Sequence, residues 1–304
     1  MSNVGGQAVL EGVMMRGPGN WAVAVRTPSG DIAHVAQTVE SKMAKHRLLR
    51  LPVIRGVMAL GESLAIGFRA LAISANYAAQ EEGEEGQEVS TELSRGALIF
   101  AFAVAIIFAL LLFKVGPALI VDKLVPVHSG GWFVIVEGLV RVTIFILYLF
   151  LISLLPDLRR VFEYHAAEHK AINAYEAGEP LEPEIVQRYS LIHPRCGTAF
   201  LLWVMVIAVF VFAFFGRPAW YWLIVTRIAF LPVIAGIAYE LIRFAGKHQN
   251  RIVMTILAPG LWLQRLTTRE PTLDQLEVSI RALREVLQLE EGATPEAQRV
   301  EVMA

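Results

Sequence analysis

Trp132-Phe133-Val134-Ile135-Val136-Glu137-Gly138-Leu139-Val140-Arg141-Val142-Thr143-Ile144-Phe145-Ile146-Leu147-Tyr148-Leu149-Phe150-Leu151-Ile152-Ser153-Leu154-Leu155 is 24 residues of apolar chain carrying one acid and one base. The hydrocarbon core of a bilayer is roughly 30 Å thick and a helix rises about 1.5 Å per residue, so this run is long enough to cross with tilt. Inside lipid the backbone must satisfy its own hydrogen bonds, which makes the run a helix. Three more stretches read the same way: 219–242, also of 24 residues, and 96–113 and 198–215, of 18 each and near the lower limit for a span. Hydrophobic residues make up 55% of the 304-residue chain and charged ones 18%, too apolar a balance for one soluble core of this length. The expected fold is therefore an all-α polytopic membrane protein. It has four transmembrane helices, interfacial amphipathic helices and a small N-terminal cytosolic β-hairpin.

Charge outside the spans sets their direction. Segments 1–95, 156–197 and 243–304 carry nine, five and eight Lys or Arg, against two in 114–131 and one in 216–218. The positive-inside rule then predicts that both termini and the loop 156–197 are cytosolic. The first 20 residues hold five glycines and no apolar core of a signal peptide. A net charge of −1 gives no reason to expect nucleic acid as a partner. One cysteine excludes an intrachain disulfide and suits a reducing compartment.

The remaining segments divide the chain further. Residues 1–47 hold a glycine-rich start and then 21–27 and 32–39, rich in Val, Ala, Ile and Thr, around Pro28-Ser29-Gly30-Asp31; these predict a hairpin. Residues 48–79 form an apolar stretch interrupted by Arg55, Glu62, Arg69 and Asn76, seven apart, which predicts a helix with one polar stripe, lying on the membrane or dipping into it. Residues 80–95 are an acidic linker, and 96–242 the membrane domain. In 243–290, Leu273, Leu276, Ile280, Leu283 and Leu287 line one face of a helix opened by a Thr272/Gln275 capping box. Such a helix docks on the protein, or pairs with a second copy or another protein. Residues 291–304 read as a loose tail.

The chemistry concentrates in the predicted cytosolic loop. Glu163-Tyr164-His165-Ala166-Ala167-Glu168-His169 is an H-x-x-E-H pattern, and 24 residues past His169 comes His193-Pro194-Arg195-Cys196, with the sole cysteine. Positions i and i+4 share a helix face, so His165 and His169 can reach one ion. Imidazole and thiolate are ligands that zinc favours. The bland alternative is a solvated helix that happens to carry these residues. If His165, His169, His193 and Cys196 all bind, the shell is a closed structural one; if three bind, Glu168 is placed to act as general base. Glu240, near the end of the last span, is a distant candidate ligand. Cys196 is alternatively a nucleophile beside a histidine, or simply a small buried residue. Within the spans, Glu137 and Arg141 form an i, i+4 pair, and Arg227 needs a partner, with Glu137 one candidate. Gln7, Glu11 and Arg16 in the glycine-rich start could line a site or sit in a structural turn.

Gly5-Gly6-Gln7-Ala8-Val9-Leu10-Glu11-Gly12-Val13-Met14-Met15-Arg16-Gly17-Pro18, the run Glu163 to Lys170, His193-Pro194-Arg195-Cys196-Gly197-Thr198 and Leu266-Thr267-Thr268-Arg269-Glu270-Pro271 together resemble the YqhQ-like bacterial membrane proteins, a family of unknown function in places labelled as predicted metal-dependent enzymes. The resemblance spans nearly the whole chain. It implies a bacterial inner-membrane location and the importance of these four segments, and it supplies no reaction. The expected function is a zinc-dependent hydrolase at the cytosolic membrane face, with membrane lipids around it. A scaffold with a closed zinc site that docks a partner is the alternative. A transporter using Glu137, Arg141 and Arg227 is third, because four spans without repeats are few for that task.

Overall fold

The computed structural model describes residues 4–39, 41, 43, 46–78, 95–124, 130–215, 220–248 and 250–292. The expected acidic linker (but for Arg95) and the tail beyond 292 lie outside the described residues.

The glycine-rich start is not a loop. It forms β1 (Gly5–Val9) and β2 (Gly12–Arg16), which continue into β3 (Asn20–Arg26) and β4 (Ile32–Thr38) as one antiparallel meander in the order β1-β2-β3-β4. The β3–β4 hairpin is the expected one, closed around Pro28–Asp31 with Gly30 at φ 90°. In β1–β2 the tight turn is made by Leu10 and Glu11, and Glu11 takes φ 52°.

Both faces of this sheet are covered. Side chains alternate along a strand, so Val13, Met15, Ala22 and Ala24 point one way and Met14, Trp21, Val23 and Val25 the other. The first set packs on α5 (Pro156–Glu176) and α9 (Leu273–Glu291), through Tyr164, Ala167 and Ala171 and through Leu276, Ile280 and Leu283. The second set packs on Ile66 and Ala70 of α1 (Ile54–Ala78). The C-terminal helix thus docks its apolar stripe on the chain's own sheet, and its Thr272/Gln275 capping box is formed.

The membrane helices are α2 (Arg95–Leu110) running through a π-helical turn at Leu111–Val115 into α3 (Gly116–Leu124), α4 (Gly130–Ile152), α6 (Gly197–Ala213) and α7 (Trp220–Lys247), with α8 (Arg251–Thr267) after them. Four helical segments are long and apolar enough to cross a membrane: Ile54–Ala78, Ala103–Lys123, Gly131–Ile152 and Val225–Lys247. The protein is a polytopic helical membrane protein with a small sheet, as its composition predicts. The individual segments differ in two places. The predicted span 96–113 is part of a longer helical run, because the helix carries on through the π turn to Leu124. The predicted span 198–215 is the apolar helix α6, which ends at Ala213 and is 17 residues long. It meets α4 closely: a Cβ on Gly138 would lie 2.1 Å from Val209, so only glycine allows this approach.

α1 meets the span criterion by length and composition, yet it carries the sheet along its second half. Ser63 and Glu62 bind Arg16, Gly67 abuts Gln7, and Ser74 accepts from the Leu10 N–H. Its seven-residue polar stripe is split between partners. Arg55 pairs with Glu240 of α7, Glu62 with Arg16 of β2, and Arg69 and Asn76 are exposed.

The intramembrane charges form one cluster. Glu137 on α4 is buried and takes Arg141 one turn on and Arg227 from α7 at 3.0 Å. Arg141 Nε also donates to the Phe113 carbonyl at 2.8 Å, inside the π turn. A π turn breaks the regular i to i−4 ladder, so the Arg141 contact falls where that ladder changes.

Candidate metal centre

α5 starts at Pro156, with Asp157 in its first turn, and its Ala-rich stretch lets the sheet and α9 approach closely. His165, Glu168 and His169 therefore sit in the middle of a packed helix rather than on a solvated one. His169 and Glu168 are buried, and His165 is partly so. The chain after α5 is tied back onto it: Lys170 Nζ donates to the Gln187 carbonyl at 2.5 Å and Asn173 Nδ2 to the Ser190 carbonyl at 2.9 Å. This strapping delivers Cys196, which caps α6 by accepting the Thr198 N–H, to the histidines.

Ligand atoms of His165, His169 and Cys196 lie within 4.8 Å of one another. His165 Nε2 is 3.3 Å from Cys196 Sγ. In a tetrahedral zinc shell that N···S separation is about 3.5 Å, from Zn–N near 2.0 Å and Zn–S near 2.3 Å. The other ring nitrogens face backbone oxygens: His165 Nδ1 lies 2.8 Å from the Thr267 carbonyl and His169 Nδ1 2.6 Å from that of Leu191. A carbonyl only accepts, so each Nδ1 carries a proton and each Nε2 is the nitrogen left for another partner. Metal-binding histidines are held in this way.

His193 stands one layer back. Its ring centroid is 5.9 Å from that of His169, and its Nε2 is 3.6 Å from a Glu176 oxygen. Gln264 of α8 grips its backbone, accepting from the N–H and donating to the carbonyl, both at 2.9 Å. The ring's Nδ1 is buried and has no hydrogen-bond partner. Glu168 reaches His169 Nε2 with one oxygen at 3.5 Å, while the other, Oε1, is buried without a partner. Above it lies Gly6, where a Cβ would come 2.9 Å from Glu168 Cγ.

Burial opposes charge here and is outweighed. It would lower the His165 pKa, but the Cys196 thiolate, with Glu168 and the Thr267 carbonyl, raises it to about 9. Burial would raise the Cys196 pKa, but His165 and His169 hold it well below its usual value. The His193 pKa is lowered by burial, against the Glu176 hydrogen bond that raises it, and its neighbours Arg195 and His169 add to the lowering. The chelator-treated protein should accordingly show thiolate absorbance at pH 7 that disappears only on acidification. In His165→Ala the burial effect loses its main opponent, and the band should emerge at distinctly higher pH, with His169 alone still opposing burial. Identical titrations of the two proteins would disprove the pairing.

The other residues singled out in the sequence go elsewhere. Glu240 is engaged by Arg55 at 2.7 Å and by Arg243, and is not part of the histidine group. Glu11 pairs with Arg160 and approaches the Tyr164 hydroxyl. Gln7 and Arg16 do come to the site's vicinity, lining a cavity that reaches His165. The carbonyls of Thr267 and Leu191 and the clamp by Gln264 carry no signal in the sequence beyond the Leu266–Pro271 run that contains Thr267.

These features define a multi-span membrane protein with a buried His/His/Cys cluster where the helical bundle meets a small cap of sheet and helices. The chain belongs to the family described as protein of unknown function DUF1385, whose profile matches residues 51–289. It is also similar to the uncharacterized protein YqhQ of Bacillus subtilis (strain 168), with 32% identity over 294 residues, 94% of this chain and 92% of that one. No solved structure matches.

Proposed function

We propose that the chain is a zinc-dependent hydrolase working at the cytosolic face of the bacterial inner membrane. The observation that carries this reading is the convergence of His165 Nε2 on Cys196 Sγ while the Nδ1 atoms of both His165 and His169 are turned to carbonyls. Among the described residues no further His, Cys, Asp or Glu joins the three within the same distance. A bound zinc supplies Lewis acidity at this point. Glu168, with a buried unpartnered oxygen, takes the proton of the attacking water and returns it to the leaving atom, while the water's hydroxyl ends on the substrate. Zinc analysis of the purified chain and of its histidine variants tests the metal, and a Glu168 variant tests the catalysis.

A second reading is a structural zinc site in a scaffold. It is favoured by one observation, the buried and unpartnered Nδ1 of His193 beside His169, since a shift of that ring would close a four-ligand shell.

The same proposal places α2–α3, α4, α6 and α7 across the membrane, with the sheet, α5 and α9 in the cytosol, from the Lys and Arg asymmetry. α1 carries the sheet on one face and so lies along the membrane surface, with Leu64 and Phe68 of its exposed face toward lipid. In a Cys196→Ala background, a cysteine introduced at Gly130 should react with an impermeant reagent from outside, and one at Ser190 should not. The reverse pattern would invert the topology.

A further inference from the structure

Between β1, α1, α5 and α6 lies a cavity of about 400 Å³, within the size range of small-molecule sites. It has two unlike sides. One is polar: Gln7, Arg16, Ser63, His165 and Thr198. The other is apolar, including Leu60, Leu64, Phe200 and Leu201. No acidic side chain lines it among the described residues.

The polar side is built for negative charge. Arg16 is 1% exposed; its Nη atoms are taken by Glu62 and Ser63, and its Nε is buried with no partner. Gly197 and Thr198 open α6, whose helix dipole puts partial positive charge at that end. An anionic group in the cavity would lie beside the Arg16 side chain and at the positive end of α6. The apolar side leads out of the protein: Leu64 is 52% and Leu201 50% exposed, on two helices that flank the cavity and read as lying on and crossing the membrane. Leu201 is in the second turn of α6, close to the bundle's cytosolic end as proposed above.

We infer that this cavity binds an anionic membrane lipid, its phosphate-bearing head beside Arg16 and the start of α6 and its acyl chain leaving between Leu64 and Leu201 into the bilayer. The head then lies next to His165, so the inference names the substrate class of the hydrolase and rests on that reading for turnover, though not for binding.

The test uses the full chain in nanodiscs of phosphatidylcholine. The probe is phosphatidic acid with a photoactivatable group on its acyl chain, and labelled residues are located by mass spectrometry. Labelling should concentrate around residues 60–64 and 200–201, about tenfold above a phosphatidylcholine probe with the same chain. Unlabelled phosphatidic acid should compete, and inorganic phosphate should not. Leu64→Trp and Leu201→Trp, both at half-exposed positions with room outward for the ring, should cut the labelling about tenfold by filling the mouth. Arg16→Gln should level the two probes. Equal labelling by both probes in the parent, label spread evenly over the apolar helices, or competition by phosphate as effective as by the lipid would each overturn the inference. Zinc content is measured on the same samples: specific labelling without zinc defeats the hydrolase and leaves the lipid site, and zinc without specific labelling does the converse.

Discussion

Replacing His165 and His169 together by Ala should take zinc from about one ion per chain to background. The two imidazoles are one helical turn apart, with ring centroids 4.4 Å apart, and supply two of the three donors that converge. Without them only Cys196 and, at most, His193 remain, and two donors make a poor zinc site. Binding of zinc to the folded chain alone is linked to stability, so added zinc should raise the parent's melting temperature and leave the double variant's unchanged. The variant keeps the α5 contacts of Tyr164, Ala167 and Ala171 with the sheet and α9. Unchanged zinc in a folded double variant would end the metal reading.

Glu168→Gln should retain zinc, fold as stably as the parent, and lose cellular function, with a rate loss of about 10²- to 10⁴-fold once a substrate is assayed. The substitution keeps size beneath Gly6, where there is no room for a larger group. It replaces a buried carboxylate, whose Oε1 has no partner, by a neutral amide of the same size, so a charge is removed from the interior and none is added. A merely supporting residue behaves differently, for its loss shows in metal affinity or stability. Complementation of a deletion strain, read beside zinc content and melting temperature, separates the two. Full complementation with zinc bound would eliminate the hydrolase and leave the scaffold.

How much of this was legible in the sequence varied with the physics of each part. The spans were readable because lipid demands long apolar runs, and the histidine pair because a helical period puts i and i+4 on one face. The β3–β4 hairpin was readable from its turn and its β-prone flanks. β1 and β2 were not: Gly12–Arg16 is buried on both faces, so it has no alternation, and the glycine-rich run read as a site lining or a structural turn. The place of α1 was hidden because its apolar residues face a sheet that the sequence did not reveal. His193 looked equal to Cys196 by spacing alone, and only the strap tying residues 187–192 to α5 brings one sulfur forward and sets the other ring back. Glu240 looked like a spare carboxylate until Arg55 met it across the fold.

Glu290, in the last turn of α9, accepts hydrogen bonds from the Gly19 N–H at 2.8 Å and from the Asn20 side chain at 3.0 Å, at the turn joining β2 to β3. This contact joins residues about 270 apart, and Leu276, Ile280 and Leu283 cover the same sheet from the same helix. During synthesis, residues 5–38 leave the ribosome first and residues 273–291 only after every apolar helix has been made. One face of the sheet therefore has no α9 to cover it throughout membrane insertion, and it must be held by α5, by a chaperone or by the bilayer surface in the meantime. Assembly of the histidine cluster, which borrows the Thr267 carbonyl just ahead of α9, is in this sense the closing event of biogenesis, and a nascent chain stalled before that point would carry the membrane helices without the centre.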